Sequence, residues 1–271
     1  MTRSAIATGI IFFLTFFNAW PQSNSKMDKY IDKKFLLGES PWWDADNNSL
    51  VFIDIEGKGF YTINHLTRKV EEHKTKWHPG TIVPTNKGNF LIAEGNTMYI
   101  ANAEGLELCQ LSTLNYSTDS LRFNDGKCAP NGTFWVGTVD CKYYSKPTAR
   151  LYSFVDKNIC TVLENITISN GICWSPDGQT MYYIDSPTRT VKAFDYDLET
   201  SRVSNERIAI RTPEKWGTPD GCCSDSKGNI WVAQWGGSCV ALWNPTTGSL
   251  IKKLDVPAKN VTAVALGGEN L

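Results

Sequence analysis

The sequence predicts an all-β fold, a six-bladed β-propeller whose last blade is incomplete at the C-terminus of the 271-residue chain. Two observations carry this. Five segments repeat one pattern, a tight turn with Asn, Asp or Gly followed by a hydrophobic strand: GESPWWDADNNSLVFID (38–54), PGTIVPTNKGNFLIAEG (79–95), NDGKCAPNGTFWVGTVD (124–140), NGICWSPDGQTMYYIDS (170–186) and DGCCSDSKGNIWVAQWG (220–236). Their turn positions Asn47, Gly88, Gly132, Gly178 and Gly228 stand 41, 44, 46 and 50 residues apart. A strand-rich period of about 40–50 residues is the signature of a propeller blade. Secondly, no stretch after residue 26 sustains an apolar period of 3.6 residues, so almost no helix is expected.

The first 25 residues differ in kind. Met-Thr-Arg precedes a 13-residue apolar run, Ala5 to Phe17, and a polar stretch, Pro21 to Lys26, follows. These are the parts of a secretory signal peptide, and the run is shorter than the ~20 residues that span a bilayer. Residues 1–25 are therefore read as a signal peptide, with an uncleaved N-terminal anchor as the alternative, and 26–271 as the propeller domain, truncated in blade six. A secreted or otherwise exported protein is expected, and sequons at Asn47, Asn115, Asn131, Asn165 and Asn260 agree with that.

The segments between repeats supply the remaining strands. FYTINHLTRKVEEHK alternates through Tyr61, Ile63 and Val70; ARLYSFVDKNICTVLEN and VKAFDYDLETSRVSNERIAI each read as strand, turn, strand. CVALWNPTTGSLIKKLDV turns at Asn-Pro-Thr-Thr-Gly. Trp42, Trp135, Trp174 and Trp231 are expected to pack blade against blade. VTAVALGGENL opens a sixth repeat with Thr262 near the repeated position and stops at Leu271, roughly 25–35 residues short of a full blade. Eight cysteines permit disulfides in an oxidising compartment. Cys173, Cys222 and Cys223 nevertheless fall on predicted inner strands, where buried free thiols fit better. The three histidines have no zinc-ligand spacing.

A net charge of −1, from 27 basic and 28 acidic residues with no basic run, argues against nucleic acid and anionic membrane as partners. A monomer acting on a small molecule is expected.

Eight residues before each turn stand Glu39, Gly80, Asn124, Asn170 and Asp220. Equivalent positions of successive blades surround one axis, so Glu39, Asn124, Asn170 and Asp220 are predicted to converge although 181 residues separate the first from the last. All four offer oxygen, which suits a hard divalent cation such as Ca²⁺, Mg²⁺ or Mn²⁺. The same residues would also serve to line a water-filled channel, and spacing does not choose between the two readings. Arg122, two residues before Asn124, points to the same side of an extended strand. Its guanidinium suits a carboxylate, phosphate or sugar oxygen.

The segments LGESPWWD, SLRFNDGKCAPNGTFWVGT, ISNGICWSPDGQTMYYIDS, FDYDLETSRVSN and TPDGCCSDSKGNIWVAQWGG resemble, in order, the senescence marker protein/regucalcin/gluconolactonase family, which includes luciferin-regenerating enzymes. The likeness runs from about residue 35 to 271. It implies a six-bladed propeller with one divalent cation (Ca, Zn, Mn or Mg) on the axis, hydrolysing sugar lactones or related esters. By motif, Glu39, Asn170 and Asp220 are the expected metal ligands. Asp220 matches the proposed general base, and Arg122 and Asn124 match substrate-binding positions. Where animal members carry an acidic pair that helps to bind substrate, this chain reads DCKYYSKP. Lys142 takes one of those positions, which points away from D-glucono-lactone and toward anionic or strongly polar lactones. The rival class is a non-catalytic extracellular propeller that binds calcium or a small ligand through the same residues. Metal-requiring lactone turnover separates the two.

Overall fold

The computed structural model describes residues 27–155 and 158–268; the signal peptide read from residues 1–25 lies outside them. Among the described residues, twenty strands form five four-stranded antiparallel meanders. The first blade contains β1 (Gly38–Asp44), β2 (Ser49–Asp54), β3 (Gly59–Asn64) and β4 (Val70–Lys74). The second contains β5 (Pro79–Pro84), β6 (Phe90–Glu94), β7 (Thr97–Ala101) and β8 (Glu107–Thr113). The third contains β9 (Leu121–Cys128), β10 (Phe134–Asp140), β11 (Ala149–Val155) and β12 (Asn158–Ile166). The fourth contains β13 (Ser169–Trp174), β14 (Thr180–Asp185), β15 (Thr190–Tyr196) and β16 (Val203–Arg211), and the fifth β17 (Thr218–Ser224), β18 (Ile230–Trp235), β19 (Cys239–Asn244) and β20 (Ser249–Asp255). The only helical elements among the described residues are the three-residue 3₁₀ turns Ser186–Thr188 and Glu214–Trp216.

Burial explains the strand sequences. The second strand of a blade has neighbouring blades over both faces, and β2, β6 and β10 are buried at every position. They read as continuous apolar runs for that reason. Outer strands such as β4 and β8 meet solvent and carry charge. Apolar clusters fill the spaces between blades, where Trp42, Trp135 and Trp174 act as expected; Trp231 packs instead with Val256, Val261 and Val264 of the C-terminal segment. Trp135 of the third blade meets Trp174 of the fourth edge to face at 6.4 Å, and Trp42 of the first meets Phe90 of the second at 6.2 Å. All eight cysteines are free thiols, and Cys173, Cys222 and Cys223 are buried.

The first strands form the inner circle, stitched from blade to blade. Ser40 Oγ and Thr81 Oγ1 are 2.8 Å apart, Thr81 Oγ1 donates to Gly126 O at 2.8 Å, and Asn124 Nδ2 donates to Ser169 O at 2.7 Å. Between β13 and β17 the backbones touch: a Cβ on Gly171 would lie 2.6 Å from Asp220 O. This close approach requires glycine at 171.

The fold departs from expectation in its blade count. The structure forms five sheets where six, the last incomplete, were expected. Among the described residues, the sixth repeat contributes one strand-length segment around Thr262, which has no second strand of its own to pair with. It fills the sixth place of the inner circle instead. Gly221 N donates to Thr262 O at 2.7 Å, and Thr262 Oγ1 donates to Gly38 O at 2.6 Å. Val256, Val261 and Val264 cover the free face of the fifth blade, while Phe35 packs on Phe52 and Tyr61 of the first.

Candidate active site

Each inner strand breaks register with its neighbour at the repeated position. The breaks fall between Glu39 and Trp42 in β1, Pro79 and Thr81 in β5, Asn170 and Ile172 in β13, and Pro219 and Cys222 in β17. In β9 the partners jump from Gly126 to Phe123, leaving Asn124 and Asp125 unpaired. A β-bulge re-aims a side chain and ends regular pairing. Here it happens five times at one level, and it brings the repeated residues to one cavity.

That cavity has a volume of about 640 Å³ and is lined by Glu39, Arg122, Asn124, Asn170 and Asp220 among others. These five residues are only 5–8% exposed. Blade two contributes no side chain, because a Cβ on Gly80 would lie 2.4 Å from the backbone carbon of Phe123. In the sixth place, the Thr262 hydroxyl is engaged by Gly38 O.

Hydrogen bonds set the amide orientations. Asn170 Nδ2 donates to Ser186 Oγ at 2.8 Å, which leaves Oδ1 to accept from Asn124 Nδ2 at 3.0 Å. Arg122 Nη1 donates to Asn124 Oδ1 at 2.7 Å and to Phe123 O at 2.9 Å. The guanidinium is thereby fixed, with further N–H donors left over for a ligand.

The two carboxylates are under electrostatic stress. Burial, then the Asp220 and Asp125 charges, pushes the Glu39 carboxyl well above the usual carboxylate range. Burial, then Asp125, does the same to Asp220. Asp220 Oδ1 is buried and has no hydrogen-bond donor among the described residues. A divalent cation fits this set: two buried carboxylates, one with an orphaned oxygen, beside the Asn170 amide, whose oxygen accepts one hydrogen bond and keeps a second lone pair. No group of three or more His, Cys, Asp and Glu side chains suited to a metal occurs among the described residues, so a ligand set built on Glu39 and Asp220 draws its further oxygens from amides, hydroxyls, backbone carbonyls or water.

The structure does not bring Lys142 to these residues. Asp140 Oδ1 accepts the backbone N–H groups of Lys142 and Tyr143, each at 2.9 Å, and closes a turn that leaves the Lys142 side chain exposed. Its Nζ lies 5.3 Å from the Tyr143 ring, and Tyr144 lines the cavity instead. The sequence reading also missed Ser186, Leu37, Ile168, Thr218 and Trp235, which are in the wall. The offset that located Arg122 finds three of them, since Leu37, Ile168 and Thr218 likewise stand two residues before an inward-facing residue. His78 has that offset in blade two, and its Nε2 faces Glu56 Oε2 at 3.6 Å.

Fold and site together define a β-propeller with a cavity on its inner strands whose floor is lined by side-chain oxygens. The SMP-30/gluconolactonase/LRE-like family model matches residues 37–271, and the chain belongs to this family. Regucalcin of Danio rerio is 34% identical over 252 residues, covering 92% of this chain and 84% of that protein. Among solved structures, a luciferin-regenerating enzyme superposes with a TM-score of 0.83 at 31% identity, covering 88% of this chain and 82% of that one. A calcium-binding regucalcin from Agrobacterium tumefaciens superposes with 0.81 at 25% identity, covering 86% and 79%.

Proposed function

We propose that the protein is a metal-dependent hydrolase of sugar lactones or related carboxylic esters. The observation that carries this is the floor of the cavity, where the buried pair Glu39 and Asp220, one oxygen of it without a donor, stands beside oriented amides and a fixed guanidinium. Family membership supports the same reaction class. Glu39, Asn170 and Asp220 would hold one divalent cation, of which Ca, Zn, Mn and Mg are the candidates. Bound there, it supplies positive charge that polarises an ester carbonyl and stabilises negative charge on its oxygen.

The chain's own groups do the rest. Asp220 accepts a proton from the attacking water as that oxygen bonds to the carbonyl carbon. The acyl–oxygen bond then breaks, the proton passes to the leaving alkoxide, and a hydroxy acid results. Arg122 and Asn124 hold substrate oxygens and orient the carbonyl. A hydrolysis screen over sugar lactones and aromatic esters, with and without each divalent cation, tests the reading. Absence of metal-dependent turnover with every substrate would refute it.

We also propose that the protein is exported, on the strength of the n-region and apolar run in residues 1–25, and that it acts as a monomer. N-terminal sequencing of the mature protein, together with its sedimentation, tests this.

A further inference from the structure

One layer out from the floor the character of the cavity changes. Side chains at i and i−2 share one face of a strand. Leu37, Arg122, Ile168 and Thr218 stand two residues before Glu39, Asn124, Asn170 and Asp220, and all four line the cavity. Only Arg122 among them is charged. Trp235, the last residue of β18, and Tyr144 extend the wall. Glu56, half-exposed with its Oε2 toward His78, and the hydroxyls of Thr218 and Ser186 are the polar groups of this outer layer in blades one, four and five; the rest of those walls is carbon, and the charged donor comes from blade three. At the mouth, Leu36 and Tyr144 are 51% and 44% exposed, leaving apolar surface that a bound ligand would cover.

This carbon is held in place. Leu37 N donates to Asp54 Oδ1 at 2.9 Å, and Ile168 N donates to Asp185 Oδ1 at 2.9 Å. Asp54 and Asp185 end the second strands of their blades, so one clamp is used twice to fix an apolar residue beside a proposed metal ligand. A wall fixed in advance loses little freedom on binding. A polyhydroxylated lactone turned toward Ile168, Trp235 and Leu37 would give up more water around its hydroxyls than these side chains can replace with partners. A lactone bearing a hydrocarbon substituent would set its carbonyl on the polar floor and its carbon against the wall.

Resting on the hydrolase reading, we propose that the site takes alkyl- or aryl-substituted lactones in preference to polyhydroxylated ones, with Ile168 and Trp235 setting that preference.

A chain-length series of 5-alkyl δ-lactones, run against D-glucono-δ-lactone on the full chain with Mn²⁺ or Ca²⁺, tests this. kcat/KM should rise about fourfold for each methylene that becomes buried and should exceed the value for the sugar lactone. Ile168→Asn and Trp235→Ala, each checked for a cooperative thermal transition, should flatten the rise; the wild-type series stands alone if a variant does not fold. Calorimetric binding of the matching alkyl δ-lactams, which resist hydrolysis, reads the wall without turnover. Turnover that is indifferent to chain length, or best with the sugar lactone, overturns the inference and leaves the hydrolase reading intact. Chain-dependent lactam binding without any turnover supports the apolar wall and removes the hydrolase reading. Lactam binding that is absent or insensitive to chain length, with no turnover, overturns both.

Discussion

At the scale of the residue, Asp220 is the group on which binding and chemistry meet in the proposed reaction. If it is the base, Asp220→Asn should lower kcat by about 10²–10⁴-fold, because an amide offers the cation an oxygen but takes no proton. Arg122→Ala should instead act mainly on KM, through binding shared by ground and transition states; an unaltered KM for every lactone tested would remove Arg122 from the substrate site. The raised titration of Glu39 and Asp220 has a consequence of its own. Both carboxyls hold protons more tightly folded than unfolded. Their contribution to stability is fully present below the ordinary carboxylate range and is lost as pH rises through the folded values. In chelator, the melting temperature should therefore be lower at pH 8 than at pH 5. Saturating Ca²⁺ should offset the drop and Asp220→Asn should shrink it. A drop of the same size in Asp220→Asn would place its cause elsewhere.

At the scale of the element, the inner strand with its bulge is the unit that makes the site. Gly171 shows how tightly these strands are set. A Cβ there would meet Asp220 O at 2.6 Å and Cys222 Sγ at 2.8 Å. Gly171→Ala should cost about 1–3 kcal/mol, as overpacking of a filled interior does, read as a lower urea midpoint at unchanged slope. A midpoint equal to wild type would mean that β13 and β17 separate without cost. The strands were legible because buried runs and turn residues recur at a fixed period. The convergence of Glu39, Asn124, Asn170 and Asp220 was legible because each lies eight residues before its turn. The bulges were not legible, since an unpaired residue leaves no mark in an apolar pattern. Ser186 reaches Asn170 by way of a 3₁₀ turn, a contact that strand periodicity does not encode. Lys142 was misplaced for a similar reason: Asp140 captures two backbone N–H groups and winds the loop so that Tyr144 lines the cavity and Lys142 does not.

At the scale of the molecule, the ring closes through one residue. Thr262 accepts from Gly221 N and donates to Gly38 O, joining strands 224 residues apart in the chain on one side. Gly38 precedes Glu39, and Gly221 follows Asp220. The closure thus holds two proposed cation ligands at their shared seam, where the first and fifth blades, like every pair of blades among the described residues, are separate sheets. Thr262→Val keeps the side-chain shape and the backbone bond from Gly221, but removes the donor to a buried carbonyl, at a cost of about 1–3 kcal/mol. Loss of stability alone would make Thr262 a structural tie. If closure also sets the spacing of Glu39 and Asp220, calorimetric titration with Ca²⁺ or Mn²⁺ should show a higher Kd for Thr262→Val under conditions where the variant is fully folded. Thr262→Ser, which keeps the hydroxyl, should restore wild-type affinity. An unchanged Kd in the valine variant would show that the carboxylates keep their positions without the seam, and that their own strands and bulges suffice to hold them.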